Sequence, residues 1–443
     1  MRSPCRFAVV EAFPGSLAGF PDLLGRWGYE ARLQDPSAVA GPDAAGDLAL
    51  VDAGSPRGLE TLRWLVGHRR RGGPPVAALA RRDDPAVISQ ALALGCDDAL
   101  AFPLRGDQLR LRMAALAALA TAHREHERRT VLLASYAEPA PRSSRSRTTA
   151  EPPRAEVLLV GPAGEQQVRV ANGVGPATLS YADSAAIARR MLMERRFDLV
   201  VVTLAEPGDR PLIEPAGGPL AALTRDCAKL LAGPMADDEA VSQALATGFD
   251  DVVVLPEGPE AIRLRFEFWL RLQRLRRALR EPERHPGARY ALDAPSGLFH
   301  EGFLLDHLAD RFARASGPLR QPVVVLCLAG LAELGRGRGH GPASRLVARA
   351  GEALRRAIRA EDLAAHLGRG QFVVALAGED RSAGDAVPAR LRADLAAALA
   401  EQLAGQPDLS IGAAASEIRY FAEAERVIAR ALRDLAWEQR RVA

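Results

Sequence analysis

This sequence almost lacks lysine: Lys229 is the single lysine among 443 residues, and arginine supplies every other strongly basic side chain. Chemistry that needs a lysine at a set position is therefore excluded over almost the whole chain. The net charge is only +3, and acidic and basic residues are interleaved along the sequence. This pattern is typical of solvated helix faces rather than of one basic surface, so we predict no nucleic-acid binding.

Cysteine is also scarce, with four residues far apart at Cys5, Cys96, Cys227 and Cys327. The absence of a CxxC or Cys/His cluster argues against a zinc site or a disulfide framework and fits a reducing compartment. No apolar run approaches the roughly 18 residues that a membrane span needs. Residues 1–10 lack the apolar core of a signal peptide. We therefore expect a cytoplasmic protein without a membrane span.

Short apolar segments alternate with amphipathic helical patterns in the first hundred residues. A long helix is predicted at 106–129, and a segment at 138–154, rich in Pro, Ser, Thr, Arg and Glu, reads as a linker. After it the alternation recurs. The predicted strands are 6–11, 47–53, 75–80 and 98–103 in the first copy, and 156–161, 198–204, 228–233 and 251–256 in the second. Their nearly continuous apolar character favours two parallel sheets covered by helices on both faces.

The recurrence is also visible in the letters. Residues 89–98 read SQALALGCDD, and residues 242–251 read SQALATGFDD, 153 positions later. Each segment is followed five residues later by a proline, Pro103 or Pro256. We interpret this as an internal duplication of one α/β domain. The predicted domains are 1–137 and 155–280, joined by the linker and followed by a third domain at 281–443.

The third domain has a less regular order of strands and helices, which favours an α+β fold. After a charged helix at 261–279, the predicted elements are a strand at 323–330, a helix at 342–359, a hairpin at 366–376, a helix at 388–402, a strand at 409–416 and a helix at 422–440.

The two copies resemble response-regulator receiver domains, which have a flavodoxin-like fold with a five-stranded parallel sheet. The resemblance implies that Asp52 is a phosphoacceptor, and Glu11 supplies one of the acidic residues that hold Mg²⁺ in the family. Ala12 stands where a second acid is expected. Ala80 and Phe102 replace the family's hydroxyl and lysine.

In the second copy, Thr203 replaces the acceptor, Gly161 the acid and Leu255 the lysine. The resemblance therefore implies that the second copy cannot accept a phosphoryl group by the receiver mechanism. Receivers of this kind serve as dimerisation and docking surfaces.

The third domain resembles GGDEF diguanylate cyclases over nearly its whole length. The opening motif of the family appears as DAPSGL at 293–298, and its SIG strand appears at 410–412. The signature appears as Gly368, Arg369, Gly370, Gln371 and Phe372.

A cyclase of this family needs carboxylates to hold Mg²⁺ on a triphosphate and polar groups to recognise guanine. The resemblance puts Gly370 and Gln371 at the acidic signature positions and Cys327 at a metal-binding aspartate. It puts Gly335 and Ser344 at the guanine-recognition positions. Arg369 takes the place of a glycine that lets nucleotide approach the backbone. We therefore predict a degenerate GGDEF domain that is not an enzyme and needs no metal.

An inhibitory product site of the form RxxD is common in the family, five residues before the signature. Arg359 and Asp362 stand in that register, and Arg390 is the best match to a further arginine, with Arg392 as the reserve. Arginine makes paired hydrogen bonds to phosphate or guanine, and a carboxylate accepts from guanine N–H groups. We predict that cyclic di-GMP binds here. A helix-end ion pair would give the same letters, and RxxD also occurs at 81–84.

The receiver–receiver–GGDEF layout resembles PopA/PleD-like response regulators. This resemblance implies a non-catalytic cyclic-di-GMP effector that forms a homodimer and sits at a cell pole. It would act as an adaptor that recruits partner proteins through its first receiver for regulated proteolysis by ClpXP. Two alternatives are a scaffold without a ligand and a regulator controlled by phosphorylation of Asp52. A residual cyclase is a third, formal alternative.

Overall fold

The computed structural model describes residues 5–11, 15, 17–35, 46–69, 73–81, 84–102, 106–137, 154–209, 211, 213, 223–224, 227–235, 237–255, 259–315, 318–338, 340–377, 386–404 and 409–442. The predicted linker lies outside these residues except for Arg154. Ala12, Pro103 and Pro256 also lie outside them.

The chain divides into two compact units. One contains Cys5–His123 and Arg147–Leu275, and we call it the paired-sheet unit. The other contains Arg124–Ser146 and Arg276–Ala443, and we call it the mixed-sheet unit. The boundaries at 137, 155 and 280 stay a prediction.

The first sheet of the paired-sheet unit is fully parallel and has the strand order β2-β1-β3-β4-β5. Its strands are β1 (Arg6–Val10), β2 (Glu30–Gln34), β3 (Leu48–Asp52), β4 (Val76–Arg81) and β5 (Asp98–Phe102). The helices are α1 (Phe20–Arg26), α2 (Pro56–His68), α3 (Pro85–Ala93) and α4 (Gly106–Tyr136).

The second sheet repeats this topology, with the order β7-β6-β8-β9-β10 and parallel pairing throughout. Its strands are β6 (Ala155–Val160), β7 (Ala177–Ala182), β8 (Leu199–Thr203), β9 (Ala228–Gly233) and β10 (Asp251–Val254). The helices are α5 (Glu165–Gly173), α6 (Ala185–Glu194), α7 (Asp238–Ala246) and α8 (Pro259–Arg280). Both sheets have the flavodoxin-like order 2-1-3-4-5. The predicted pair of parallel five-stranded sheets is confirmed.

Local sequence explains where several of these helices begin. Ser55 and Asp84 each precede a proline at the first helical position and accept a hydrogen bond from a backbone amide of the first turn. A short polar side chain satisfies an otherwise unpaired amide, while proline loses nothing at a position whose amide has no helical partner. Asp237 caps the equivalent helix of the second copy.

An ion network joins the two copies within the paired-sheet unit. The buried carboxylates of Asp98 and Asp251 occupy equivalent positions, 153 residues apart, and both accept from the guanidinium of Arg112 on α4. Arg265, the repeat equivalent of Arg112, lies 3.1 Å from the second oxygen of Asp251. The Trp269 indole also donates to Asp251 at 3.1 Å. The duplicated CDD and FDD segments therefore supply the carboxylates through which the copies contact each other.

The mixed-sheet unit has the strand order β11-β13-β14-β12-β15. The strands are β11 (Phe299–His300), β12 (Gln321–Ala329), β13 (Leu363–Gly368), β14 (Gln371–Ala375) and β15 (Ser410–Ile418). Only the β11–β13 pair is parallel, and the other three pairs of described strands are antiparallel. The main helices are α9 (Glu301–Ala313), α10 (Leu331–Arg338), α11 (His340–Ala357), α12 (Ala386–Ala398) and α13 (Ala424–Val442).

Side chains of β12 alternate between two apolar layers. Val323, Val325 and Cys327 pack in the layer that contains residues of α9 and α13. Val324 and Leu326 pack on the other face, against α11 and α12. A strand with period two thus places helices on both sides of the sheet. None of the described helices combines the length and the apolar character that crossing a membrane requires.

Candidate functional site

The turn at residues 359–362 connects α11 to β13. Hydrogen bonds of its own backbone and of the Asp362 side chain stabilise it. The amide of Asp362 donates to the carbonyl oxygen of Arg359 at 3.2 Å. The two carboxylate oxygens of Asp362 accept from the amides of Arg359, at 3.1 Å, and Ala377, at 2.9 Å. Asp362 is only 8% exposed, and burial raises its pKa although the two amides oppose this effect. The carboxylate therefore braces the turn.

Two arginines lie on the outside of the same turn. Arg359 is exposed. Arg390 on α12 donates from Nη1 to the carbonyl oxygen of Ala357 at 2.8 Å, and the same nitrogen lies 3.3 Å from a carboxylate oxygen of Asp394. Since Ala357 ends α11, Arg390 contacts the chain two residues before Arg359. Arg392 is exposed on the same helix.

The signature residues form the tight turn between β13 and β14. Gly368, Arg369 and Gly370 have φ values of 87°, 53° and 74°. Arg369 is the only described residue other than glycine with positive φ, so its side chain occupies a backbone position that favours glycine. A Cβ at Gly370 would lie 3.1 Å from the carbonyl oxygen of Leu328.

Cys327 and Gln371 face each other across neighbouring strands. They are register partners in the β12–β14 pair, and Gly412 of β15 pairs with Cys327 on the other side. Cys327 is buried, and burial raises the pKa of its thiol. A protonated thiol and an amide do not fit Mg²⁺, which requires hard oxygen ligands. Among the residues that the structure describes, no group of three or more His, Cys, Asp or Glu side chains is placed to hold a metal ion.

A groove of about 440 Å³ opens beside the signature turn. Arg369 and Gln371 line it together with the carboxylates of Glu301 and Glu425. Its remaining lining is largely apolar and comes from α9 and α13. A nucleotide phosphate in this groove would meet Arg369 from the turn, Arg433 from α13 and the two acidic side chains of Glu301 and Glu425.

The predicted phosphoacceptor lies at the carboxyl edge of the first sheet. Because Val10 pairs with Val51, the next residues along the two strands, Glu11 and Asp52, stand side by side. Oδ1 of Asp52 accepts from the amide of Gly54 at 3.0 Å, and Glu11 accepts from amides of the loop that follows β1. Both residues therefore follow neighbouring strands at one edge of the sheet, and the role of Asp52 as a phosphoacceptor stays a prediction.

At the carboxyl edge of the second sheet, the residue that follows β6 has no room for an acidic side chain. Gly161 follows β6 and lies beside Thr203, and a Cβ at Gly161 would stand 2.1 Å from the Thr203 hydroxyl oxygen. An acidic side chain therefore does not fit at residue 161 without a shift of the neighbouring strand.

Three arginines that the sequence analysis did not single out also contact the turn at 359–362 or the end of α11. They are Arg129, Arg276 and Arg280. The one local signal was the Glu125–Arg129 pair, whose spacing of four residues on a predicted helix is that of an ion pair. Nothing in the sequence indicates that this pair is buried against residues more than 230 positions away.

Comparison with known proteins identifies the domain that carries this turn. Residues 290–440 match the family model described as "Diguanylate cyclase, GGDEF domain". These residues are a GGDEF domain, related to proteins that bind and synthesise cyclic di-GMP. A search of the curated proteins finds no match.

Several solved structures are similar to part of this chain. Diguanylate cyclase SiaD from Pseudomonas aeruginosa, in complex with its activator SiaC, is 18% identical over 39% of this chain and 69% of its own, with a TM-score of 0.31. A sensory box/GGDEF family protein from Caulobacter crescentus is 27% identical over 32% and 99%, with a TM-score of 0.26. The coiled coil and GGDEF domain of DgcB from Caulobacter crescentus, in complex with cyclic di-GMP, is 18% identical over 37% and 88%, with a TM-score of 0.28.

One prediction needs correction. The sequence analysis concluded from the replaced carboxylates that the chain is not an enzyme. The match of residues 290–440 to the diguanylate cyclase model contradicts that conclusion and points to a diguanylate cyclase. The reasoning failed because it weighed single positions, whereas the whole domain still carries the family's pattern.

Proposed function

We propose that this protein is a signalling protein of the GGDEF type that binds cyclic di-GMP at the turn formed by residues 359–362. The observation that carries the proposal is that Arg390 of α12 contacts the last residue of α11, two residues before the exposed Arg359. Cyclic di-GMP has two phosphates and two guanine bases. Planar guanidinium groups match both, because they donate in pairs to phosphate oxygens and to the guanine edge.

The arrangement gives the three proposed ligand residues different roles. Arg359 and Arg390 are exposed and can turn toward a ligand without breaking the fold. Asp362 is buried, and its carboxylate already accepts two amide hydrogen bonds. Each carboxylate oxygen has a second lone pair, so Asp362 can also accept from a guanine N–H at the edge of the turn.

Calorimetric titration of cyclic di-GMP into the full chain tests the proposal. We expect tight binding to the wild type and a loss of affinity of roughly tenfold to 150-fold in Arg359→Ala, since a hydrogen bond to a charged group contributes about 1.5–3 kcal/mol. Arg81→Ala, in the RxxD sequence at residues 81–84, is the matched control and should bind as the wild type does. A well-folded wild type that does not bind would rule the proposal out.

Asp362→Ala should behave differently from Arg359→Ala. It removes the acceptor of two backbone amides, and each unsatisfied buried amide costs about 1–3 kcal/mol. We therefore expect Asp362→Ala to lower both the ligand affinity and the free energy of unfolding, whereas Arg359→Ala lowers only the affinity.

Synthesis of cyclic di-GMP from GTP is a second candidate function, and the match of residues 290–440 to the cyclase model favours it. The assay is incubation of the purified protein with GTP and Mg²⁺ or Mn²⁺, followed by chromatography of the nucleotides. Product that is formed by the wild type and lost in Gln371→Ala would support this candidate. Product that is equal in both preparations would indicate a contaminating cyclase.

We propose further that both sheets of the paired-sheet unit belong to receiver domains and that the protein is a PopA/PleD-like response regulator. The strand order 2-1-3-4-5 and the position of Glu11 and Asp52 at the ends of neighbouring strands support this part of the proposal. By that resemblance the first receiver would recruit partner proteins for regulated proteolysis by ClpXP, and the protein would form a homodimer at a cell pole. Phosphorylation of Asp52 stays a prediction.

A further inference from the structure

The guanidinium of one buried arginine, Arg129, donates hydrogen bonds to the backbone of the turn at residues 359–362. Arg129 on α4 is only 4% exposed, and its Nε donates to Glu125 at 2.7 Å. Its Nη2 donates to two successive carbonyl oxygens of the turn at 2.9 Å each, and its Nη1 lies 3.3 Å and 3.4 Å from two further carbonyl oxygens. The four carbonyl groups are those of Glu361, Asp362, Ala360 and Leu279.

Two arginines of α8 hold neighbouring parts of the same segment. Arg276 donates from Nε to the carboxylate of Glu361 at 2.9 Å. Arg280 donates from Nη1 to the carbonyl oxygen of Arg355, in the last turn of α11, at 3.0 Å. The carbonyl of Leu279, near the end of α8, accepts from Arg129. Thus α4, α8 and the turn share one set of hydrogen bonds.

This arrangement fixes the backbone from which Arg359 projects. Arginine has five N–H donors in a rigid planar fork, and here they address one carboxylate and four carbonyl oxygens. Three of those carbonyl groups belong to consecutive residues, so the direction of the peptide groups in the turn depends on the position of one side chain. A ligand site gains affinity when its backbone is held in the binding geometry before the ligand arrives.

We infer that Arg129 is a positioning residue for cyclic di-GMP, and that α4 and α8 set the affinity of the turn for this ligand. The inference rests on the proposed function of the turn. Arg129 does not touch the ligand; it acts through the carbonyl groups of residues 360–362. Coupling of this kind is reciprocal, so ligand bound at the turn stabilises the ends of α4 and α8 by the same factor by which the two helices raise ligand affinity.

The test compares Arg129→Ala with Arg128→Ala in the full chain, by calorimetric titration of cyclic di-GMP. Arg128 is a matched control because it is the neighbour of Arg129 on α4, and its ion pairs are with Glu125 of α4 and Asp310 of α9 rather than with the turn. We expect Arg129→Ala to weaken binding roughly tenfold and Arg128→Ala to leave it nearly unchanged. Millimolar guanidinium should restore affinity in Arg129→Ala by filling the vacated site, whereas urea at the same concentration should not.

Equal affinities of the wild type and a folded Arg129→Ala, or a loss that guanidinium does not reverse, would overturn the inference. If Arg129→Ala does not fold, Arg276→Gln gives the answer, because Arg276 is partly exposed and contacts the turn through Glu361 alone. Severalfold weaker binding by Arg276→Gln is then expected, and unchanged binding contradicts the inference. A wild type that binds nothing defeats the proposed function as well, whereas loss in Arg359→Ala without loss in Arg129→Ala defeats only the inference.

Discussion

Replacement of Arg112 by alanine is expected to destabilise the paired-sheet unit by about 3–5 kcal/mol, the cost of removing one partner from a buried ion pair. Arg112 is 11% exposed and lies between two carboxylates, Asp98 and Asp251, that are each 6% exposed. Without the guanidinium, these two negative charges would face each other with less compensation. Arg265 would still contact Asp251, whereas Asp98 would keep the hydrogen bond from the amide of Ala99 but lose its ion pair with Arg112.

Urea denaturation followed by tryptophan fluorescence measures this effect. Trp27, Trp64 and Trp269 lie in the paired-sheet unit, so the fluorescence change reports mainly on that unit. Arg110→Ala is the matched control, since Arg110 lies on the same helix but is exposed. A loss of unfolding free energy below about 1 kcal/mol in Arg112→Ala would mean that this network stabilises the protein no more than an exposed ion pair does, and would contradict the prediction.

The pH dependence of the loss of unfolding free energy in Arg112→Ala gives a second check. Burial by itself raises the pKa of Asp251, but Arg112, Arg265 and the Trp269 indole hold it below its ordinary value. Removal of Arg112 therefore raises the pKa of Asp251 in the folded protein. As the pH falls through this raised pKa, Asp251 takes up a proton and the repulsion disappears. The difference between Arg112→Ala and the wild type should therefore shrink in acid.

The sequence predicted the central strands well because they are continuously apolar. Leu48–Asp52 and Leu199–Thr203 lie in the middle of their sheets, and nearly all their residues are buried. The edge strands Glu30–Gln34 and Ala177–Ala182 were not among the predicted segments. An edge strand pairs on one side only and leaves polar side chains in solvent, so its sequence differs little from that of a loop.

The candidate site was predictable only in part. Register placed Arg359 and Asp362 at one turn, because spacing within a family motif survives in the letters. The inward direction of the Asp362 carboxylate depends on the amide of Ala377, which belongs to the far end of the hairpin. The contact of Arg129 with the turn spans more than 230 residues. Only the folded chain brings such groups together, so local periodicity carries no information about them.

A buried cluster in the mixed-sheet unit leads to the second prediction, a loss of stability in mild acid. Nε2 of His307 on α9 lies 2.7 Å from Oε1 of Glu125, which also pairs with Arg129 and, through its other oxygen, with Arg128. Asp310, one turn further along α9, pairs with Arg128. His307 is 1% exposed. The neutral imidazole therefore donates from Nε2 to an ionised Glu125 inside the unit.

The pKa shifts in this cluster fix the sign of the effect. Burial lowers the pKa of His307, Glu125 opposes this only in part, and Arg128 and Arg129 add to the lowering. Burial raises the pKa of Glu125, but His307, Arg129 and Arg128 more than offset that effect and hold it well below its ordinary value. Both groups therefore take up protons in the unfolded chain at a higher pH than in the folded one.

The contribution of His307 to the free energy of unfolding is therefore fully present above the ordinary histidine pKa of 6.5. It falls as the pH drops below that value toward the pKa of folded His307. Below the ordinary glutamate value of 4.5, protonation of Glu125 in the unfolded chain adds to the loss. Each group that titrates only on unfolding costs about 1.4 kcal/mol per pH unit. His126 and His285 contribute with the same sign, because burial lowers the pKa of each.

Differential scanning calorimetry of the full chain between pH 7.5 and pH 5 measures this slope. In His307→Gln the amide can still donate to Glu125 but does not titrate, so the loss of stability of the mixed-sheet unit per pH unit should be clearly smaller than in the wild type. His126→Gln, at a half-buried position on α4, should flatten the slope less. An unchanged slope in His307→Gln would mean that His307 is already protonated in the folded protein at neutral pH. In that case Glu125 is compensated by three cations rather than by two and a neutral donor, and the loss of stability that this cluster causes in acid would come from Glu125.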